Sequence, residues 1–411
     1  MDAVLSFSHR KVSLGRFATF KTSVTTFSPL RKRNIIRCSV TPPSSSLAKF
    51  KEAAQNDKNL IPIQNVIFSD HLTPVLAYRR LVKEDNDDTE SPSFLFESLS
   101  TGGWVGYFSY DTVRYAEKEK LPFSNGPLDD RSLPDIHLGL YDEVVVFDHL
   151  HQKAHIIHWV QLDRFSSVEE AYNDGMNRLE ALVAKVQNIS SPGLAAESME
   201  LHAELQCSSP QKKMSSMSDE EYEKAVSIAK EHILDGDIYQ IFLSRRFIRQ
   251  TFCDPFEVYR AMRIVNPSPC MTYLQITGEH FDNLNSWDAL RATLPLEIVT
   301  GVPKVRAMEL IDKLEATSRG PYSGVFGGIS FSGDMDLALA LTTIIFPTGL
   351  RHDAKFSHGS VHKRRNWVAH VEVGTGIVAD SNPGDEKIEC QNKAAPLFSA
   401  IHLAESSFLQ N

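Results

Sequence analysis

Three groups of residues have the types and spacing to do chemistry. Glu386 and Glu389 stand three apart behind Pro383, and Lys393 follows one turn later. On a helix all three share a face. Carboxylates on one face suit a hard, oxygen-seeking Mg2+, and one or two suffice when substrate and water fill the remaining positions. The same pattern also suits an ordinary surface helix, with acids in its first turn and a Glu–Lys pair one turn apart. Gly374-Thr375-Gly376 follows an apolar run and precedes Ile377-Val378-Ala379-Asp380. Backbone N–H groups at such glycines can approach an anion such as a carboxylate. Composition alone favours a tight strand-to-strand turn there. Arg319-Gly320-Pro321-Tyr322-Ser323-Gly324 sets a tyrosine among glycines beside an arginine. That pair can grip a carboxylated ring, or pack as a loop aromatic. No Walker loop, GxGxxG fingerprint, HExxH motif or Ser/His/Asp triad order occurs.

The elements that must position these groups follow from periodicity. Phe94–Ser98 and Gly102–Asp111 read as strands, the second interrupted by glycines. Glu143–Phe147 and His155–Gln161 flank a polar turn and read as a hairpin. Val168–Gln187 has helical spacing. Residues 188–218 are rich in Ser, Met, Gly and Pro and read as a linker. It ends in a capping box, Ser218-Asp219-Glu220-Glu221, before Tyr222, Val226, Ala229 and Ile233 recur at helix spacing. A β-rich run follows over Ile238–Phe247, and Pro255 opens a helix through Val265. The last third alternates a helix (Val305–Ala316), a glycine-rich segment, strands at Leu337–Phe346 and Trp367–Val373, a glycine turn, and a final helix over Gly384–Ser407. The class is α+β.

Charge divides the chain unevenly. Residues 1–40 hold eight Lys/Arg against Asp2 alone, and ten Ser/Thr, while the whole chain carries a net charge of −9. The basic, acid-poor N-terminus reads as an organelle transit peptide, with processing near Cys38 and a plastid destination. The acidic remainder offers no electrostatic attraction to nucleic acid or to anionic membrane. No apolar run is long enough for a membrane span. Five scattered cysteines, none at CxxC spacing, fit a reducing compartment without a disulfide framework or zinc site.

Several long segments in order carry a resemblance. They are Gly102–Asp111, the hairpin after Leu133-Pro134-Asp135, Glu231–Gln240, Asp254–Tyr273, Ser286–Arg291, Arg319–Asp336 and Gly376–Ala395. Together the chain resembles the large (alpha) subunits of plant anthranilate synthase, among the chorismate-utilising enzymes. The resemblance implies a large fold of two packed, mostly antiparallel β-sheets covered by helices. It divides the chain into a transit peptide (1–38), an N-terminal region (39–187), the linker (188–218) and a chorismate-binding region (219–408). It implies conversion of chorismate and ammonia to anthranilate and pyruvate, with Mg2+ as cofactor and a glutamine amidotransferase subunit as partner supplying ammonia.

Residue by residue, Tyr322, Gly374, Thr375, Gly376 and Lys393 would bind chorismate, and Glu389, with Glu386, would hold Mg2+. Gln240 occupies the place where isochorismate-forming relatives have a lysine base, which implies ammonia as nucleophile. A tryptophan feedback site would involve Ser98, Pro269, Cys270 and Met271. Departures from the pattern are equally specific. Tyr273-Leu274-Gln275 passes almost directly to Thr277-Gly278-Glu279, where the family has a strand with SSPE, an RPLAGT loop, a second Mg2+ glutamate, an LGRND motif and a histidine segment. Thr342 stands at the substrate-facing arginine of the family. The alternative expectation is therefore a non-catalytic, partner-binding paralogue or a decayed gene product.

Overall fold

The computed structural model describes residues 2–6, 47–55, 59–83, 92–96, 102–187, 214–268, 271–275, 295–331, 335–347, 352–353 and 365–408. In chain order the first elements are β1 (Asp2–Ser6), α1 (Leu47–Gln55), β2 (Leu60–Phe68), α2 (Pro74–Tyr78), β3 (Ser93–Phe96), β4 (Gly103–Phe108) and β5 (Ile136–Tyr141). Next come β6 (Glu143–Asp148), β7 (Lys153–Gln161), α3 (Val168–Gln187), β8 (Met214–Ser215), α4 (Asp219–Leu234), β9 (Gln240–Thr251) and α5 (Pro255–Val265). The remainder is β10 (Thr272–Gln275), β11 (Gly301–Val302), α6 (Lys304–Leu314), β12 (Val325–Ser330), β13 (Met335–Leu339), β14 (Thr342–Phe346), β15 (His352–Asp353), β16 (Arg365–Ile377) and α7 (Pro383–Phe408).

These strands form three sheets. The largest runs β11-β9-β16-β14-β1-β10-β3, with β8 on β9 and β15 on β16. A second runs β13-β12-β4-β5, and a third β2-β7-β6. The fold is thus a mix of helices and antiparallel sheets. The β6–β7 hairpin and α3 follow the expected bounds closely. Ser218 caps α4 as its sequence predicts: its hydroxyl accepts from Glu221 N, and Glu221 reaches back to Ser218 N.

One face of the large sheet carries the main core. Leu243 and Phe247 of β9 and Val371 and Val373 of β16 pack there against Tyr222 and Val226 of α4, Phe256 and Tyr259 of α5, and Leu397 and Ile401 of α7. The opposite face meets the four-stranded sheet through Leu274, Ile345, Val105, Tyr107 and Phe326. The small sheet packs separately on α1 and α3 through Phe50, Ile61, Ile63, Ala171 and Leu179.

Three features depart from the sequence reading. First, Leu337–Phe346 is two strands, not one. The chain bends at Ala340–Leu341, where Ala340 N donates to Gly324 O (3.0 Å) and Ser323 N to Ala340 O (2.8 Å). It crosses there from the four-stranded sheet into the large one. Second, Gly374–Gly376 is no turn: β16 runs unbroken through it, paired with β9 as far as Ile377 opposite Ile241. Third, Asp2–Ser6, inside the segment read as a transit peptide, forms a strand of the large sheet. The 188–218 stretch joins regions whose strands share a sheet, because β4 pairs with β12. Among the described residues, no helix is long and apolar enough to cross a membrane.

Candidate active site

Alternation along β16 decides what Gly374 faces. Val371, Val373 and Ile377 join the helix-covered core. Glu372, Gly374 and Gly376 therefore point the other way, toward the second sheet. Tyr322 comes to meet them. It is fully buried, and its hydroxyl has no hydrogen-bond partner. A β-carbon built on Gly374 lies 3.0 Å from that hydroxyl. Burial pushes the Tyr322 phenol well above its ordinary pKa, so it stays a neutral donor. Ser323, next in the chain, holds φ 62°, a strained value for a residue with a side chain.

From α7, Lys393 Nζ donates to Gly374 O at 3.0 Å and pairs with Glu389 Oε1 at 2.7 Å. Tyr322, Gly374, Lys393 and Glu389 thus form a connected cluster. Glu386 lies one turn before Glu389 and keeps one buried carboxylate oxygen without a partner. Among the described residues, no group of three or more His, Cys, Asp and Glu could hold a metal by itself. Two helix carboxylates, one with an orphaned oxygen, fit the protein share of a Mg2+ shell completed by substrate and water.

Other candidates lie elsewhere. The Thr375 hydroxyl is on the opposite face, 2.8 Å from Tyr222 Oη in the helix-covered core, so only its backbone borders the cluster. Gln240 is exposed at the start of β9, opposite Val302. Thr342 begins β14, opposite Ser6. Met271 is buried, whereas Ser98, Pro269 and Cys270 fall outside the described residues. Arg319 does not reach outward to a ligand. Its guanidinium binds both oxygens of Glu315 and the carbonyls of Val299 (2.7 Å) and Phe242 (2.6 Å), and lies 4.6 Å from the Tyr110 ring centre. It fixes the loop that carries Tyr322.

Sequence reasoning missed the ionic layer beneath the cluster. Glu372 is buried, with Arg131 Nη1 2.8 Å and Arg246 Nε 3.5 Å from its Oε1. Arg246 also binds Asp130 at 2.9 Å. Burial raises the Glu372 pKa, and the two guanidinium groups pull it back. A cavity of 10 Å³, room for about one water, opens between Arg246, Glu372, Ser244, Glu315 and Arg319. It is far too small for a ring substrate.

Two predictions arise here. In Gly374→Ala the new methyl meets Leu243 O at 2.5 Å and Phe242 Cε1 at 2.6 Å. Because a strand carbonyl cannot step aside, chemical denaturation should show a loss of about 1–3 kcal/mol. His370, buried beside Arg131 and Arg246, has its pKa lowered to about 3, mainly by burial. The unfolded chain binds this proton below about pH 6.5 while the folded one stays neutral. Stability therefore falls as pH drops from 6.5 toward 3, by up to about 1.4 kcal/mol per pH unit. Urea midpoints at pH 7.5 and 5 should converge in His370→Gln relative to the unmodified chain. Equal pH sensitivity in both would assign the effect to other groups.

The chain matches the chorismate binding enzyme family over residues 44–282 and 274–399. It belongs to that family. Among chorismate binding enzymes, it is 41% identical to the chloroplastic anthranilate synthase alpha subunit 2 of Arabidopsis thaliana, covering 92% of this chain and 88% of that one. It is 42% identical to the chloroplastic alpha subunit 1 of Oryza sativa subsp. indica, covering 88% and 91%. The Arabidopsis alignment spans 551 positions, more than the 411 residues of this chain, so long gaps fall within it. The anthranilate synthase component I structure from Streptococcus pneumoniae shares the fold, with TM-score 0.53 at 23% identity over 80% of this chain and 98% of that one.

Proposed function

We propose that this chain is the large subunit of a plastid anthranilate synthase, taking chorismate, and ammonia from a glutamine amidotransferase subunit, with turnover cut by the charged contacts it lacks. The observation that carries this is the 41–42% identity to plant alpha subunits over most of both chains. Those relatives are chloroplastic by name, in keeping with the basic, Ser/Thr-rich N-terminus.

In this reading Tyr322 donates a neutral hydrogen bond to a chorismate carboxylate, and the Gly374 and Gly376 backbone lets the ring lie close. Lys393 supplies the positive charge. Glu389 and Glu386 would hold Mg2+, which supplies charge neutralisation for the substrate carboxylate. Gln240 lies outside this cluster, and ammonia as the nucleophile is what the family resemblance implies for a chain with Gln at that place. Tryptophan, as feedback inhibitor, would bind near Met271.

A second reading has its own support: the long gaps against relatives and Thr342 in place of an arginine. It is a non-catalytic subunit that keeps the chorismate and partner surfaces. Calorimetric titration of chorismate with Mg2+ tests both. Binding should weaken about tenfold in Tyr322→Phe and at least as much in Lys393→Ala, as loss of one or more hydrogen bonds implies. No binding at millimolar chorismate would overturn both readings. Binding without turnover selects the second.

A further inference from the structure

Among the described residues, the large sheet contains a slot that only the N-terminal strand fills. β10 and β14 do not pair with each other; β1 lies between them, antiparallel to both. The register is continuous on both sides. Ala3 stands opposite Leu274 and Ile345, Val4 opposite Tyr273 and Ile344, and Leu5 opposite Thr272 and Thr343. With β1 absent, two strand spacings would separate the flanking strands, roughly 9–10 Å, too far for a ladder. Both flanks are interior. All four β10 residues are buried, as are Thr343–Phe346 of β14. Unpaired N–H and C=O groups along such edges are seldom tolerated away from water. The β3–β10 pair also has no other strand contact with the sheet. The sequence Asp2-Ala3-Val4-Leu5-Ser6 sets three consecutive apolar residues between polar ends.

We propose that Asp2–Ser6 is a complementing strand, and that the β10–β14 slot is a strand-binding site whose occupant is this segment. This gives the N-terminal segment a second role. Residues that read as a targeting sequence also complete the central sheet, so processing near Cys38 empties the slot. The processed chain then has two facing, unpaired edges that accept the same segment supplied separately.

Cysteine pairing in the full chain tests the register directly. Two double variants, Ala3→Cys with Ile345→Cys and Val4→Cys with Ile344→Cys, sample adjacent positions, and one of any two adjacent antiparallel pairs is of the close, non-hydrogen-bonded kind. At least one should cross-link under mild oxidation in high yield. The off-register pair Ala3→Cys with Ile344→Cys should not. Equal yields in all three, or none in any, overturn the proposal.

Amide exchange gives an independent reading. Val4→Pro removes a ladder N–H, and should speed exchange across 272–275 and 343–346 by at least about tenfold, while Val4→Ile leaves it unchanged. The chain beginning at Ser39 should show the same loss, reversed by a synthetic peptide of residues 1–9. Unchanged protection in Val4→Pro, or full protection in the shortened chain without peptide, overturns it. The cross-link decides the matter should either of those chains fail to fold.

Discussion

Supplied with chorismate, ammonium and Mg2+, the purified chain should form anthranilate at least about a hundredfold more slowly than an intact plant relative. The reason is the number of charged contacts the chain does not make. Thr342 stands where the family resemblance sets an arginine, and its position opposite Ser6 puts it on an occupied strand edge. Arg319 cannot substitute, since Glu315 and two backbone carbonyls take its donors. Each charged hydrogen bond to a ligand carboxylate is worth about 1.5–3 kcal/mol, so two losses remove about two to four powers of ten. The resemblance also sets a second Mg2+ glutamate and a histidine segment in the stretch this sequence lacks between Gln275 and Thr277. Thr342→Arg alone should therefore restore nothing measurable. Inserting the family stretch together with Thr342→Arg should raise product fluorescence strongly. Turnover of the unmodified chain near that of an intact relative would show the missing residues to be dispensable.

Arg319→Ala should be the most destabilising single change near the site. It leaves Glu315, a buried carboxylate whose only cation at ion-pair distance among the described residues is this guanidinium, with the Ser244 N–H but no countercharge. Breaking a buried pair from one side costs about 3–5 kcal/mol. In a chain this large that lowers the melting temperature by roughly 4–6 °C. The double change Arg319→Met with Glu315→Leu should recover much of the loss, because it removes the orphaned charge. Arg319 also crosses from the Tyr322 loop to the carbonyls of Val299 and Phe242, so the single variant should lose chorismate binding too. A melting shift under 2 °C for Arg319→Ala, as expected of a surface pair, would mean that solvent reaches Glu315.

Helices and hairpins were the legible part of the sequence. Spacing bounded α3, Ser218 and Glu221 marked the start of α4, and Pro255 the start of α5, because helix signals are local. Strand interiors were harder. Glycines at 374 and 376 look like a turn, yet both lie in a continuous strand, where Gly374 serves close approach by Phe242 and Tyr322. The bend at Ala340–Leu341 carries no turn residue. Two backbone bonds from the Ser323–Gly324 turn hold it, and nothing within the strand sequence encodes them. Of the candidate cluster, Tyr322, Gly374, Glu389 and Lys393 were named from residue types and family resemblance. The Arg131–Glu372–Arg246 layer was invisible, since its members lie more than a hundred residues apart and single charges in strands leave no periodic trace.

Strand β4 waits a long time for its partner. Gly103–Phe108 pairs with Val325–Ser330, more than two hundred residues later in the chain. Such non-local pairing makes folding slow, because a large loop must close before the contact rewards it. The three-stranded β2-β7-β6 sheet has all its strands and its covering helices α1 and α3 within residues 47–187, so it can assemble early. The four-stranded sheet cannot close until the last quarter of the polypeptide exists. A product ending before Val325 would carry a finished N-terminal lobe beside an open β4 edge. That edge, with buried Val105, Tyr107 and Phe108 on it, makes chains stopped short prone to aggregate or to be degraded.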